Sequence, residues 1–325
     1  MRLLPATFVA LIAALTAVGA WVVGSAPVGA GRDPARLEIS VPATITAGDE
    51  LTVDIDAEPG SAVTVHFFDG YGASTRHVTL QQASGRLAGP SPRFAGQLDI
   101  VAIAGSRQAA TTISVLPRER LDPPVPLIGA RSIVADGADR SMVAVIPSDR
   151  YGNPAPAGTP VQVTVQHPDG SLATFPANVD RTVAWTWIPS STTSGTATVT
   201  ASTQGRPGPA RTLVEIPGNP EPFALESETE LRPADGASLV TVASEPLIDR
   251  HGNRLVDGIA VVVRARYPSG FESRQTVTVT GGIARALLSA PDEPGVVRVW
   301  MTVHGTTSAP LDLAFSPPLA TGGGQ

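Results

Sequence analysis

Apolar and polar residues alternate through short stretches along most of this chain. Leu51, Val53 and Ile55 alternate with Thr52, Asp54 and Asp56. Val161, Val163 and Val165 alternate with Gln162 and Thr164, and Val261 and Val263 repeat the pattern. Successive side chains of a β-strand point to opposite faces, so a period of two marks a strand with one dry and one wet face. Residues 98–103 and 112–115 read as strands on the same grounds. Val297, Val299, Met301 and Val303 form one apolar face opposite Arg298, Trp300 and Thr302. Clusters of Gly, Pro, Asn and Asp punctuate these runs, among them Asp69-Gly70-Tyr71-Gly72, which predicts a turn. The pattern predicts an all-β chain, with a helix only in the apolar stretch 3–23.

The turns repeat. Asp149-Arg150-Tyr151-Gly152-Asn153 returns as Asp249-Arg250-His251-Gly252-Asn253. The same 100-residue offset carries Gly158 onto Gly258, Pro168 onto Pro268, Gly170 onto Gly270 and Gly195 onto Gly295. An Ala-Asp-Gly-Ala quartet opens both copies, at Ala135 and at Ala234. A register held through so many turn residues means one domain present twice. Pro-rich segments, 117–126 and 217–222, predict stiff linkers between copies. The expected modules are 36–117, 127–216 and 223–315, followed by a flexible tail, 316–325.

The two repeated modules resemble the bacterial Ig-like domain of the invasin/intimin type. The carriers are the Ala-Asp-Gly opening, the Asp-x-x-Gly-Asn turn at Asp149 and Asp249, and the glycine leading into alternating valines. The resemblance covers about 200 residues. Arg254 stands where the first copy has Pro154. The resemblance implies β-sandwiches stacked in series outside the cell membrane, often as adhesin stalks. With the first module, called Ig-like from its length and strand spacing, the expectation is three tandem Ig-like β-sandwiches after an N-terminal hydrophobic helix.

Residues 3–23 carry no charge and follow Arg2. Their length suits a membrane anchor, with Trp21 near the outer end. Val28-Gly29-Ala30 equally fits cleavage of a secretory signal peptide. Either reading of residues 1–30 exports the rest of the chain to the cell surface or the extracytoplasmic side of the membrane.

Composition narrows the chemistry. The net charge is −6 and no basic tract is present, which disfavours nucleic acid. Without Cys there are no disulfides and no thiolate metal sites. All 23 cationic residues are Arg, so Schiff-base lysines and Lys–Asn isopeptide crosslinks are excluded. His66, His77, His167, His251 and His304 are scattered and form no metal-binding pair, and no nucleophile elbow or phosphate loop occurs. The chain reads as a non-enzyme with no cofactor.

Two constellations remain. The residues Asp149, Gly152 and Asn153, with Asp249, Gly252 and Asn253, read as structural turns. Asp accepts backbone N–H bonds at the head of a turn, Gly takes positive φ, and Asn tolerates the left-handed region. Calcium at either Asp, or at the acidic junction Glu215, Glu221, Glu226, Glu228 and Glu230, is the competing reading. The second constellation is aromatic. Trp185 and Trp187 share a strand face with Val183, and the 100-residue offset places Arg285 and Leu287 at the Trp positions. That predicts an outward, wet face, with Trp300 assigned to a similar one beside Arg298. A one-residue bulge would instead turn both Trps into the core. If outward, Val183, Trp185, Trp187 and Trp300 form an interaction surface for a protein or glycan partner at the cell envelope. The functions compatible with all this are an adhesion or presentation stalk, an accessory subunit of a larger envelope complex, and a polysaccharide-binding appendage.

Overall fold

The computed structural model describes residues 34–317, and every regular element in that span is a strand. The expected leader and most of the expected tail lie outside the described residues. The chain divides into two compact units, one ending at Arg118 and the other beginning at Glu119.

In the first unit, Thr52–Ala57 lies between Leu37–Ser40 and Ser84–Ala88. A second sheet runs Thr44–Thr46, Arg107–Leu116, Gly96–Ala104, Ala62–Asp69, Gly72–Thr79. Val53, Ile55, Val63, Val65, Phe67, Ile100 and Ile113 are buried, as the period of two requires. Each such side chain contributes about 1.5–3 kcal/mol on leaving water. Asp69 Oδ1 accepts the N–H groups of Tyr71 and Gly72, both at 2.8 Å, which closes the predicted turn.

The second unit holds two sandwiches, each with its own apolar core. In the first copy, Arg140–Val145 lies between Leu127–Ile128 and Ala184–Pro189. The facing sheet runs Ser132–Val134, Arg211–Ile216, Gly195–Thr203, Pro160–Gln166, Leu172–Asn178. Leu121, Val143, Val145, Val163, Val165, Ile188, Val199 and Leu213 fill the space between. The second copy repeats this order, except that Glu272–Thr280 also pairs with Ile283–Ser289 and joins the two sheets. Its core includes Val240, Val242, Val261, Val263, Met301 and Leu313.

All three modules share one unusual pairing. An early segment runs parallel to the last strand, at Thr44–Thr46 with Ser114–Leu116, at Ser132–Val134 with Val214–Ile216, and at Pro233 with Ser316. The other ladders are antiparallel among the described strands. The first module therefore has the same strand order as the other two without carrying their turn signature.

The Pro-rich segments are not free spacers. Leu121 is buried, its N–H donates to Gln204 Oε1 at 3.3 Å, and Arg206 donates to its carbonyl. Asp122 N–H donates to Ser148 O at 2.8 Å. In the later segment Glu221 N–H donates to Ile248 O at 2.8 Å, and Thr306 donates to Pro220 O at 3.1 Å. Proline's missing donor keeps these segments out of sheet centres, but their remaining backbone groups are tied to the module that follows.

Candidate functional site

The repeated turn is a hydrogen-bonded knot. Asp149 Oδ1 accepts from the N–H groups of Tyr151 at 2.8 Å and Asn153 at 3.0 Å, and Oδ2 accepts from Asn153 Nδ2 at 2.9 Å. Asp249 repeats this with His251, Asn253 and Asn253 Nδ2, each at 2.9 Å. Gly152 and Gly252 sit at φ 83° and 84°, where a Cβ would be strained. One expectation is corrected here. Neither Asn adopts the left-handed region; among the described non-glycine residues only Arg181, Gln204 and His304 have positive φ. The Asn contributes its side-chain amide, which occupies the second carboxylate oxygen.

Burial pushes the Asp249 carboxyl up, but the Asn253 amide and the N–H groups of Gly218, Asn253 and His251 outweigh it, so its pKa is lowered. Asp136 is lowered by the N–H groups of Asp139 and Ala138. Asp235 falls to about 2, held by the Ser238 hydroxyl and by the N–H groups of Ser238 and Ala237. These carboxylates spend their lone pairs on the protein's own backbone. Among the described residues no group of three or more His, Asp or Glu is placed to hold a metal ion.

The acidic junction does not assemble. Glu226, Glu228 and Glu230 are exposed on one side of their segment, and Glu228 pairs with Arg285 at 3.0 Å. Glu215 is elsewhere, 1% exposed inside the first copy. Its Oε1 meets His167 Nδ1 at 2.7 Å, and its Oε2 accepts the Ser191 N–H at 2.7 Å and the Ser191 hydroxyl at 2.5 Å. The sequence reading missed this pair. A signal existed in the repeat: the 100-residue offset places Tyr267 and Phe315 at these positions, so one copy buries a polar pair where the other has a half-buried Tyr and a buried Phe.

The tryptophans point outward. Trp185 is 52% exposed and Trp187 49%, while Ala184 and Ile188 on either side of the pair are buried. The strand keeps its register with no bulge, Trp185 opposite Ala144 and Trp187 opposite Met142. Leu127 continues the row beyond Ala144, and Leu127 and Met142 are exposed as well. Val183 is half-buried and bridges Asp180 at the start of the strand. Trp300 does not join this surface. It is half-buried on Gly295–Val303 of the other copy, opposite Arg264 in a different ladder.

The duplicate shows what else this face can be. Glu226 pairs with Ala243 where Leu127 pairs with Ala144. Thr241 faces Leu287 where Met142 faces Trp187. Arg285 replaces Trp185 and is held by Glu228. One copy sets an ion pair on this face beside exposed Leu239 and Leu287, and the other sets two exposed tryptophans there.

The fold and these turns define a tandem array of Ig-like β-sandwiches. The same architecture occurs in invasin, a bacterial integrin-binding protein, at 18% identity and TM-score 0.52 over 87% of this chain. This chain spans 60% of that structure. The Escherichia coli adhesin FdeC matches at 18% identity and TM-score 0.54, over 89% of this chain and 99% of its own. No protein-family model and no curated protein matches the sequence. The likeness to invasin and FdeC establishes the Ig-like fold that the repeated turns implied.

Proposed function

We propose that the protein is an exported, membrane-tethered stalk of three Ig-like modules, 36–117, 127–216 and 223–315. It presents the face of Leu127, Met142, Trp185 and Trp187 to a protein or glycan partner at the cell envelope and catalyses no reaction. The observation that carries the reading is the contrast between duplicates. One sheet face, on one backbone, carries two exposed tryptophans with Leu127 and Met142 in the first copy, and in the second an Arg285–Glu228 ion pair beside the smaller exposed Leu239 and Leu287. Open clusters of large apolar side chains on a soluble module mark contact surfaces, and Trp is among the strongest contributors to them. Invasin and FdeC, an integrin-binding protein and an adhesin, make adhesion the partner-binding role that fits. The structural turns Asp149–Asn153 and Asp249–Asn253 serve architecture in this reading.

The test borrows the duplicate's own residues. Cells displaying the full chain with Leu127→Glu, Met142→Thr and Trp185→Arg should lose retention on host-cell and glycan-coated surfaces, to the level of cells without the protein. Far-UV circular dichroism of the purified variant should be unchanged. Undiminished retention sinks the adhesion reading. Protease applied to intact cells should remove the modules; protection would refute export.

A further inference from the structure

The second Asp-x-x-Gly-Asn turn makes bonds that its own hairpin does not require. Asn253 Oδ1 accepts the Ser194 N–H at 2.8 Å, and Asn253 Nδ2 donates to Thr192 O at 2.9 Å. Asp249 Oδ2 accepts the Gly218 N–H at 2.9 Å. All three partners belong to the preceding copy or to the segment that connects it. Asn253 uses both ends of its amide across the junction while still donating to Asp249 within the turn.

The receiving loop, residues 190–194, is itself braced from inside the first copy. Glu215 Oε2 holds both the N–H and the hydroxyl of Ser191. Ser190 N–H donates to Asp139 O at 2.8 Å, and its hydroxyl accepts the Gly137 N–H at 3.1 Å. A buried carboxylate therefore fixes the loop whose backbone receives Asn253.

Alongside these bonds the junction opens into a cleft of about 530 Å³, bordered by Asp136, Pro217, Asn219, Arg250, His251 and His304. Val134, Ile216 and Pro220 line the same cleft. Domains joined this way ordinarily move relative to one another, so a few directional bonds decide whether these do.

We propose that the Asp249–Asn253 turn is a plug, and the Glu215-braced loop 190–194 its socket, and that together they lock the two copies into one rigid body. The turn thus holds its own hairpin and couples neighbouring modules. The final copy's own loop cannot offer the same socket. Pro291 and Pro294 stand at the positions of Ser191 and Ser194, and Phe315 at that of Glu215. Proline has no N–H to give an Asn carbonyl. This inference rests on the junction alone and stands or falls independently of any partner at the Trp face.

The chain has no cysteine, so spin labels can be placed without background. Thr174→Cys and Thr276→Cys put one label on an exposed position of each copy. Electron–electron distance measurements on the full-length chain in mild detergent should give a single narrow distribution. Asn253→Ala, which empties the plug, and Ser194→Pro, which removes the socket's donor, should each broaden it about twofold or more. Circular dichroism melting should remain cooperative in both. A broad distribution in the parent protein overturns the proposal, whatever the variants do. An unchanged width in a folded variant of either kind also overturns it.

Discussion

At the scale of single residues, Glu215 shows how the same position can be filled by opposite chemistries. A buried carboxylate is tolerated because His167 and Ser191 occupy both its oxygens. Leaving a buried polar group without its partner costs about 1–3 kcal/mol, whereas replacing both partners by apolar groups of the same shape can be nearly neutral or stabilising. His167→Ala is therefore expected to lower stability in urea unfolding by about 1–3 kcal/mol. His167→Tyr with Glu215→Phe and Ser191→Pro, the residues found at Tyr267, Phe315 and Pro291, should recover most of that loss. Failure of the triple variant to exceed the single one would mean that the aromatic pair needs the rest of its own copy. Asp235 gives a pH expectation. Its folded pKa of about 2 lies below the ordinary 3.8, so its contribution is fully present above 3.8 and fades as pH falls through about 2. Carboxyl NMR titration of the folded protein should place its midpoint near 2, and a midpoint at 3.8 would remove the Ser238 hydroxyl from the account.

At the scale of elements, the strand Ala184–Pro189 carries two roles on two faces. Ala184 and Ile188 enter the core, while Trp185 and Trp187 stay outside opposite Ala144 and Met142. The strict period of two leaves no other arrangement unless a bulge intervenes, and none does. In a Trp21→Phe background, acrylamide should quench most of the emission, and Trp185→Phe with Trp187→Phe should leave only the smaller quenchable part that half-buried Trp300 contributes. Full protection in the monomer would place both rings in a contact. The glycine following loop 190–194 is set by packing at the same scale. A Cβ on Gly195 would lie 2.9 Å from Pro168 Cβ, and one on Gly295 would lie 2.6 Å from Pro268 Cγ. That close approach explains why glycine and proline recur together at the 100-residue offset.

At the scale of the molecule, each copy in the second unit buries its own core, and discrete hydrogen bonds link the copies. A repeat array of this kind owes its stability to module interiors plus nearest-neighbour junctions. Changes in the interior and changes at the junction should therefore be separable in effect, except at Glu215, which braces the socket loop from inside. His167 substitution would appear in the unfolding free energy, Asn253 substitution in the distance distribution. The Trp face lies on an outer sheet of one module and leaves that division untouched.

The repeat and the strand faces were written in the order of residues along the chain, while the choice between an outward and an inward Trp185 waited on the absence of a bulge. They follow from local rules: a period of two, turn chemistry, and a fixed offset between duplicates. The likeness of the first module's topology to the others was legible only as strand spacing, since the parallel pairing of Thr44–Thr46 with Ser114–Leu116 joins residues 70 apart. Tertiary structure alone decided that Glu215 leaves the acidic junction for the interior, that Trp300 stands apart from Trp185, and that Asn253 reaches Thr192 and Ser194. Each of these depends on which strands become neighbours and how two modules meet. Such contacts are set by the packing of whole sheets, and no periodicity within a single segment encodes them.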